Sequence, residues 1–289
     1  MRIEELLQSG RSLKDLSTFG IGGPVRYYLE VSQITQIVQA IEWSNQNQIP
    51  YFILGKGSNC LFDDLGFDGL IIHNKIDFCD FEGCRVYAGA GYSFSLLGIQ
   101  TAKRGLSGLE FASGIPGSVG GAIYMNAGAN GSETCQTLDE VLFYDPKVGQ
   151  KIISREQMSF SHRTSSFQSL CGVILAARFT LSVNQDARKE QLAYISRRMA
   201  SQPYAAKSAG CVFRNPSPEM PAGLLIDRCG LKGLRCGGAE VSQIHANFII
   251  NVKDASSSDV MALIKQVQQR VYETTKKWLE PEVRLVSFK

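Results

Sequence analysis

Ser113-Gly-Ile-Pro-Gly-Ser-Val-Gly-Gly-Ala-Ile-Tyr-Met-Asn-Ala-Gly128 is the stretch on which the reading of this chain turns. Removing side chains over such a length raises the conformational entropy lost on folding, so a fold that keeps it needs backbone close against something. A mobile linker is one explanation, but linkers seldom carry Ile115, Val119, Ile123 and Met125. The other is a flat or phosphorylated ligand lying on bare backbone. The wider window 111–132 holds no charged residue over 22 positions. About 20 apolar residues suffice to span a membrane, yet six glycines, Pro116, Asn126 and Asn130 break any apolar run here. The window is expected to be a glycine-rich loop region in a soluble protein.

Upstream, Tyr51-Phe-Ile-Leu54 reads as a buried strand entering Gly55-Lys-Gly-Ser-Asn59. Glycines let backbone N–H groups approach an anion, and Ser and Asn side chains add hydrogen bonds. Taken alone this is equally an ordinary tight turn. The chain has no G-x-x-x-x-G-K-[ST] and no G-x-G-x-x-G between a strand and a helix, so any dinucleotide is held otherwise than by a P-loop or Rossmann turn.

Outward from these segments, apolar spacing at Ile34, Ile37, Val38 and Ile41 predicts a helix over 33–47, stopped by Pro50. Strands are expected at 69–73, 86–90, 141–144, 151–154 and 173–181, with a helix over 93–103. Composition turns polar near 183–188, ahead of a helix through Leu192, Ile195 and Met199. Beyond it come a helix at 222–229, a strand at 246–252, and a long helix from about 258 capped by Ser257 or Ser258. Its apolar stripe is Val260, Leu263, Ile264, Val267 and Val271. A short strand is expected over 282–288.

The 289 residues suggest about two domains, or three small ones, and bury roughly three quarters of the extended chain's surface. With 44% hydrophobic and 20% charged residues the chain is neither disordered nor fibrous. Thirty basic against twenty-seven acidic residues is too small a bias for nucleic acid or an acidic membrane surface. Residues 1–17 carry scattered charges and no apolar run, unlike a signal peptide. The eight cysteines (60, 79, 84, 135, 171, 211, 229 and 236) form no C-x-x-C pair. They are expected as free thiols in a reducing compartment, the cytoplasm. The three scattered histidines suggest no metal site.

Gly55-Lys-Gly-Ser-Asn59, then Gly114-Ile-Pro-Gly-Ser-Val-Gly-Gly-Ala122 and Met125-Asn-Ala-Gly128, resemble the flavin-binding half of the UDP-N-acetylenolpyruvoylglucosamine reductase family. The downstream half is similar too: Ser208-Ala-Gly-Cys-Val-Phe-Arg-Asn-Pro216, Ala222-Gly-Leu-Leu-Ile-Asp227, Gly230-Leu-Lys-Gly233, Gly237-Gly-Ala239, His245-Ala-Asn-Phe248 and Leu279-Glu-Pro-Glu-Val283. The motifs run in family order over nearly the whole chain, whose length resembles the shorter of the family's two types.

The resemblance implies an α+β architecture: a two-subdomain FAD-binding fold of the vanillyl-alcohol-oxidase (PCMH) type plus a C-terminal α/β substrate-binding domain. The domains would be 1–75, with strand 282–289 returning to it, then 76–187, and 188–281. It also implies reduction of non-covalently bound FAD by NADPH, then hydride transfer to the enolpyruvyl methylene carbon of UDP-N-acetylglucosamine-enolpyruvate, giving UDP-N-acetylmuramate for peptidoglycan. No nucleic acid or membrane insertion is implied, and a monomer is expected. Two alternatives are an FAD oxidase of the same fold and a nucleotide-sugar-binding relative without catalysis.

By motif position the cofactor would be held by Gly55, Lys56, Gly57, Ser58 and Asn59 at its diphosphate. Ser113, Gly114, Ile115, Pro116, Gly117, Gly121, Ala122, Asn126 and Gly128 would lie near its ring. Asn215, Lys232, Gln243, His245 and Asn247 would hold the sugar nucleotide. Arg163, Cys211 and Glu282 would be catalytic. Hydride addition leaves enolate-like charge, and fixed donors aimed at such charge are each worth roughly 3–4 kcal/mol. A guanidinium suits the carboxylate because it forks onto two oxygens. Without the resemblance, Arg163 reads as a solvated loop arginine and Glu282 as an exposed strand carboxylate. Cys211 stands where the family commonly has a Ser proton donor; a thiol, with an ordinary pKa near about 8.5, can also give a proton at pH 7. His162 stands where Tyr is usual, and Arg214 where Lys is usual.

Overall fold

The computed structural model describes residues 3–217 and 219–288. Its contacts group into two compact units with interleaved segments: 3–8, 28–56 and 69–198 form the first, and 9–27, 57–68 and 199–288 the second.

In the first unit, α1 (Ile34–Gln46) buries Ile37 and Ile41 of the expected stripe together with Ala40 and Ser44, while Ile34 and Val38 are half-buried. Gln33 caps it in a reciprocal box with Gln36, and Asn47 closes it. A three-stranded sheet is ordered Val25–Val31, Phe67–Asn74, Tyr51–Leu54, with the last two parallel. A five-stranded sheet follows in the order Gly149–Ser154, Leu138–Asp145, Val173–Thr180, Arg85–Gly89, Cys79–Glu82, antiparallel throughout. α2 (Phe94–Lys103) starts at Ser93, whose hydroxyl accepts the Leu96 N–H. Its Phe94 meets Phe111 edge to face at 5.9 Å between centroids, in a core that includes Val86, Phe143 and Phe179.

The 111–132 window is not loop throughout. It contains α3 (Val119–Tyr124), which starts at Ser118 and buries Val119, Ala122 and Ile123 in the same core. Packing of those three side chains outweighs the helix penalty of Gly120 and Gly121, about 1 kcal/mol each. α4 (Ala187–Ser201) closes the first unit and runs just past its boundary.

The second unit is built on a four-stranded sheet in the order Ser208–Cys211, Phe248–Asn251, Ala239–Val241, Arg235–Cys236. α5 (Ala222–Arg228) and α6 (Ser257–Thr275) belong to it. Val260, Leu263, Ile264, Val267 and Val271 of α6 are all buried, with Phe213, Ile249 and Leu279 in one core; each such burial contributes about 1.5–3 kcal/mol. The helix begins one residue earlier than its expected caps. Ser256 accepts the Asp259 N–H at 3.0 Å and Asp259 reaches back to the Ser256 N–H, the reciprocal pattern that decides a first turn. The C-terminal strand is shorter than expected, Arg284–Val286, and pairs in parallel with Cys60–Phe62. No described helix is long and apolar enough to cross a membrane.

Candidate functional site

In the first unit Gly55 meets the second glycine-rich stretch, while Gly57, Ser58 and Asn59 belong to the second unit. A Cβ on Gly55 would lie 2.4 Å from Ser118 Oγ, so the turn after Tyr51–Leu54 lies directly against the start of α3. Their backbones differ in one respect. From 113 to 122 most N–H groups are already engaged, among them Gly114 with Ser95 Oγ, Val119 with Tyr92 O, Gly120 with Ala90 O and Gly121 with Ser118 Oγ. Those of Lys56, Gly57, Ser58 and Asn59 donate to no acceptor among the described residues. Open amides suit a diphosphate, whereas a backbone with its amides closed suits the face of a flat ring. Pro116 and Gly121 are exposed and Gly117 half-buried. The buried Ser113 Oγ has no hydrogen-bond partner among the described residues, as a segment awaiting a polar ligand would leave it. Lys56 adds positive charge; burial and neighbouring Lys75 hold its pKa below the usual value, against Asp77.

Several of the residues expected at the cofactor also make contacts within the fold. Gly57 adopts φ 61°, and a Cβ there would lie 2.1 Å from Leu16 O, so its bareness serves the fold of the second unit. Asn59 Nδ2 donates to Glu282 O at 3.3 Å. Ala122 is 4% exposed and part of the core. Asn126 is fully buried at φ 42°: its Nδ2 donates to Glu133 Oε2 and Ser161 O, and its Oδ1 accepts the Cys135 N–H. It braces the loops. At Gly128 a Cβ would crowd Ser132 O at 2.6 Å, and the Gly128 carbonyl accepts from Arg163 Nη1 at 3.0 Å.

Arg163 sits with His162 at the two-residue tip between Phe160–Ser161 and Thr164–Ser165. Its φ of 57° is uncommon for a residue with a Cβ, a strain that clusters at functional positions. Gln168 Nε2 braces the tip through Arg163 O and Tyr124 O. His162 is exposed, 3.6 Å from Glu133 Oε1.

In the second unit, Cys211, Asn215, Lys232, His245 and Asn247 line one cleft of about 300 Å³. The strand Ser208–Cys211 carries a bulge between Ser208 and Cys211, opposite Ile250 and Phe248, with Gly210 at φ 78°. Such a bulge re-aims the side chain that follows it; that side chain is Cys211, half-buried and, like the other seven cysteines, outside any disulfide. Asn215 Oδ1 accepts the Ala222 N–H at the start of α5, leaving its Nδ2 for a ligand. Lys232 pairs with Asp227 Oδ2 at 3.0 Å. His245 Nδ1 accepts the Asn247 N–H at 3.2 Å, so its proton is on Nε2. Burial, then the nearby Lys232, lowers its pKa against the pull of a backbone hydrogen bond, favouring the neutral ring.

Asn247 is only 3% exposed, and both ends of its carboxamide bind Phe213. Gln243 is exposed and lies against Gly233, outside that lining. Sequence reasoning missed Asp227, Leu224 and Ile244 in the lining; the last two are 42% and 58% exposed. Asp227, five residues before Lys232 on a helix end, was the available signal. Glu282 is half-buried and precedes the C-terminal strand.

Two family models match the chain: an FAD binding domain over residues 25–147, and the C-terminal domain of UDP-N-acetylenolpyruvoylglucosamine reductase over 202–286. A protein of that name from Protochlamydia amoebophila is 53% identical, aligned over 100% of this chain and 96% of its own length. The chain belongs to the UDP-N-acetylenolpyruvoylglucosamine reductase family. A Chlamydia trachomatis reductase is 44% identical over 98% of this chain and 97% of its own. The crystal structure of the Thermus caldophilus reductase superposes with a TM-score of 0.83 at 34% identity, covering 96% of this chain and 99% of that one. The fold is accordingly a PCMH-type FAD-binding part followed by the reductase C-terminal domain, and the cofactor is FAD. Both glycine-rich stretches fall within the first match, and the cleft and Glu282 within the second; Arg163 lies between the two.

Proposed function

We propose that this reductase-family chain converts UDP-N-acetylglucosamine-enolpyruvate to UDP-N-acetylmuramate, with NADPH as electron donor, in the synthesis of peptidoglycan precursors. Domains 1–75 and 76–187 would hold FAD and 188–281 the sugar nucleotide. FAD, when bound, supplies the two-electron chemistry that links NADPH to the enolpyruvyl carbon. Lys56 and the open amides of 56–59 fit its diphosphate; Pro116, Gly117 and Gly121 offer the surface for its ring.

The observation that carries the proposal is the cleft. A thiol, an ammonium, an amide and a neutral imidazole N–H converge there, a donor set suited to an anionic nucleotide beside a carbon awaiting a proton. Lys232 meets the diphosphate as a point charge, and Asn215 Nδ2 and His245 Nε2 donate to phosphate or uracil oxygens. Cys211 gives its proton to the carbon next to the carboxylate, completing addition of two hydrogens across the double bond. The Arg163 guanidinium engages the carboxylate on which charge accumulates, and Glu282 assists through its proton or a polarised water.

The test is anaerobic. NADPH should bleach the yellow protein, and the enolpyruvyl sugar nucleotide should then restore its colour with formation of the lactyl ether. Bleached protein that ignores the sugar nucleotide but recovers colour in oxygen would replace this proposal with an oxidase. Yellow protein that binds the nucleotide and never bleaches would leave a binding protein.

A further inference from the structure

The ladder between Ser208–Cys211 and Phe248–Asn251 ends at the pair Cys211–Phe248. Beyond it the chain at 245–247 turns away, yet the hydrogen bonding continues for two more residues. Val212 N–H donates to Asn247 O at 2.8 Å. Phe213 N–H then donates to Asn247 Oδ1 at 2.9 Å, and Asn247 Nδ2 donates to Phe213 O at 2.8 Å. The carboxamide presents an acceptor and a donor side by side, as the edge of a neighbouring strand would. The opposite edge of the same stretch is held by Glu282 N–H on Val212 O at 2.7 Å and by Arg214 N–H on Glu280 O at 2.9 Å. Cys211 lies at one end of this doubly clamped segment and Asn215 at the other, both in the cleft.

We infer that Asn247 is a positioning residue for substrate reduction: its carboxamide replaces a missing strand neighbour and so sets where the Cys211 thiol enters the cleft. This rests on Cys211 being the proton donor, and it takes Asn247 out of the set of substrate ligands. A side-chain amide of this length both accepts from the N–H and donates to the C=O of one residue, Phe213. An aspartate keeps the shape and the acceptor but turns a carboxylate oxygen towards the Phe213 carbonyl.

The experiment compares flavin-loaded unmodified protein, Asn247→Asp, Cys211→Ala and the double variant. NADPH bleaching and sugar-nucleotide affinity should stay within about threefold in Asn247→Asp, while substrate-driven return of colour slows about 10- to 100-fold, the scale of a misplaced reacting group. The double variant should be no slower than Cys211→Ala alone, because the two residues act through one proton. Independent, multiplying losses would overturn the inference, as would weakened substrate affinity with an unchanged rate of colour return.

A second readout needs no turnover. The alkylation rate of Cys211, resolved by peptide mass spectrometry, should change in Asn247→Asp while the other seven cysteines keep theirs; an unchanged rate at Cys211 overturns the inference. If the sugar nucleotide fails to reoxidise the unmodified protein, the proposed function falls, and the alkylation result still decides the placement. Should Asn247→Asp not fold, amide exchange at Phe213 in the unmodified protein decides it. Protection equal to that of Phe248–Asn251 is expected, and loop-like exchange refutes the clamp.

Discussion

The backbone N–H of Glu282 donates to the carbonyl of Val212 at 2.7 Å, which fixes Glu282 beside the residue that follows Cys211. Two groups proposed to act on one substrate are thereby referenced to a single peptide unit, although 70 positions of chain lie between them. Arg284 N–H on Asn59 O and Asn59 Nδ2 on Glu282 O add a second tie.

Cys211→Ala should bleach with NADPH at the unmodified rate yet regain colour with substrate about 10²–10⁴-fold more slowly, the usual worth of a positioned general acid. Cys211→Ser should keep substantial activity. Stopped-flow absorbance of each half-reaction checks both; unchanged reoxidation in Cys211→Ala would make the thiol structural.

Gly57 and Lys56 are neighbours with opposite expected phenotypes. Gly57→Ala forces a Cβ onto Leu16 O at a left-handed φ, so its unfolding free energy in urea titration should drop, by about 1–2 kcal/mol for the backbone alone. Lys56→Ala should leave that free energy within about 0.5 kcal/mol and weaken FAD binding about tenfold or more, the worth of one charged hydrogen bond. Flavin titration by fluorescence quenching measures the latter.

Lys232→Ala should raise the dissociation constant of the sugar nucleotide while flavin content and stability hold, because its exposed pairing with Asp227 contributes only about 0–1 kcal/mol. Asn215→Ala should weaken the same ligand and also lower stability by about 1 kcal/mol, since its Oδ1 satisfies the first N–H of α5. Calorimetric titration alongside urea unfolding separates the two. Loss of FAD from both variants would contradict the domain proposal.

His245 is held below its ordinary pKa by burial, followed by Lys232. The unfolded chain therefore binds a proton at this position before the folded one does. Stability should be full above about pH 6.5, fall as pH drops through that value, and level off below the folded pKa. His245→Gln should remove this component from urea midpoints recorded between pH 5 and 8, and an undiminished acid slope in that variant would refute it.

Helices with a continuous apolar stripe were legible in advance: Ile37 and Ile41 of α1, and Val260 to Val271 of α6, are buried as spacing required. Ser256 was missed in favour of its neighbours, though Asp259 three positions later marked it. α3 was hidden because Gly120 and Gly121 speak against a helix and only packing of Val119 and Ile123 restores it. Cys60–Phe62 is too short to show any period. At the site, Cys211, Asn215, Lys232 and His245, singled out by motif position, line one cleft. At Asn126 and Asn247 residue type alone carried less, because an amide that grips a ligand and one that grips its own backbone look identical until burial is known.

Interleaving has a consequence for biosynthesis. Residues 9–27 and 57–68 belong with 199–288, so on the ribosome they wait for more than 200 further residues of this 289-residue chain. At about 5–20 residues per second that is roughly 10–45 s during which Phe19, Ile21 and Leu61 lack the core that covers them. The first unit's five-stranded sheet is complete once residue 180 has emerged. A nascent chain stalled with residue 200 just outside the ribosome should therefore carry a protease-resistant first unit and two cleavable strips, and their protection should arrive only once the strand Arg284–Val286 has emerged.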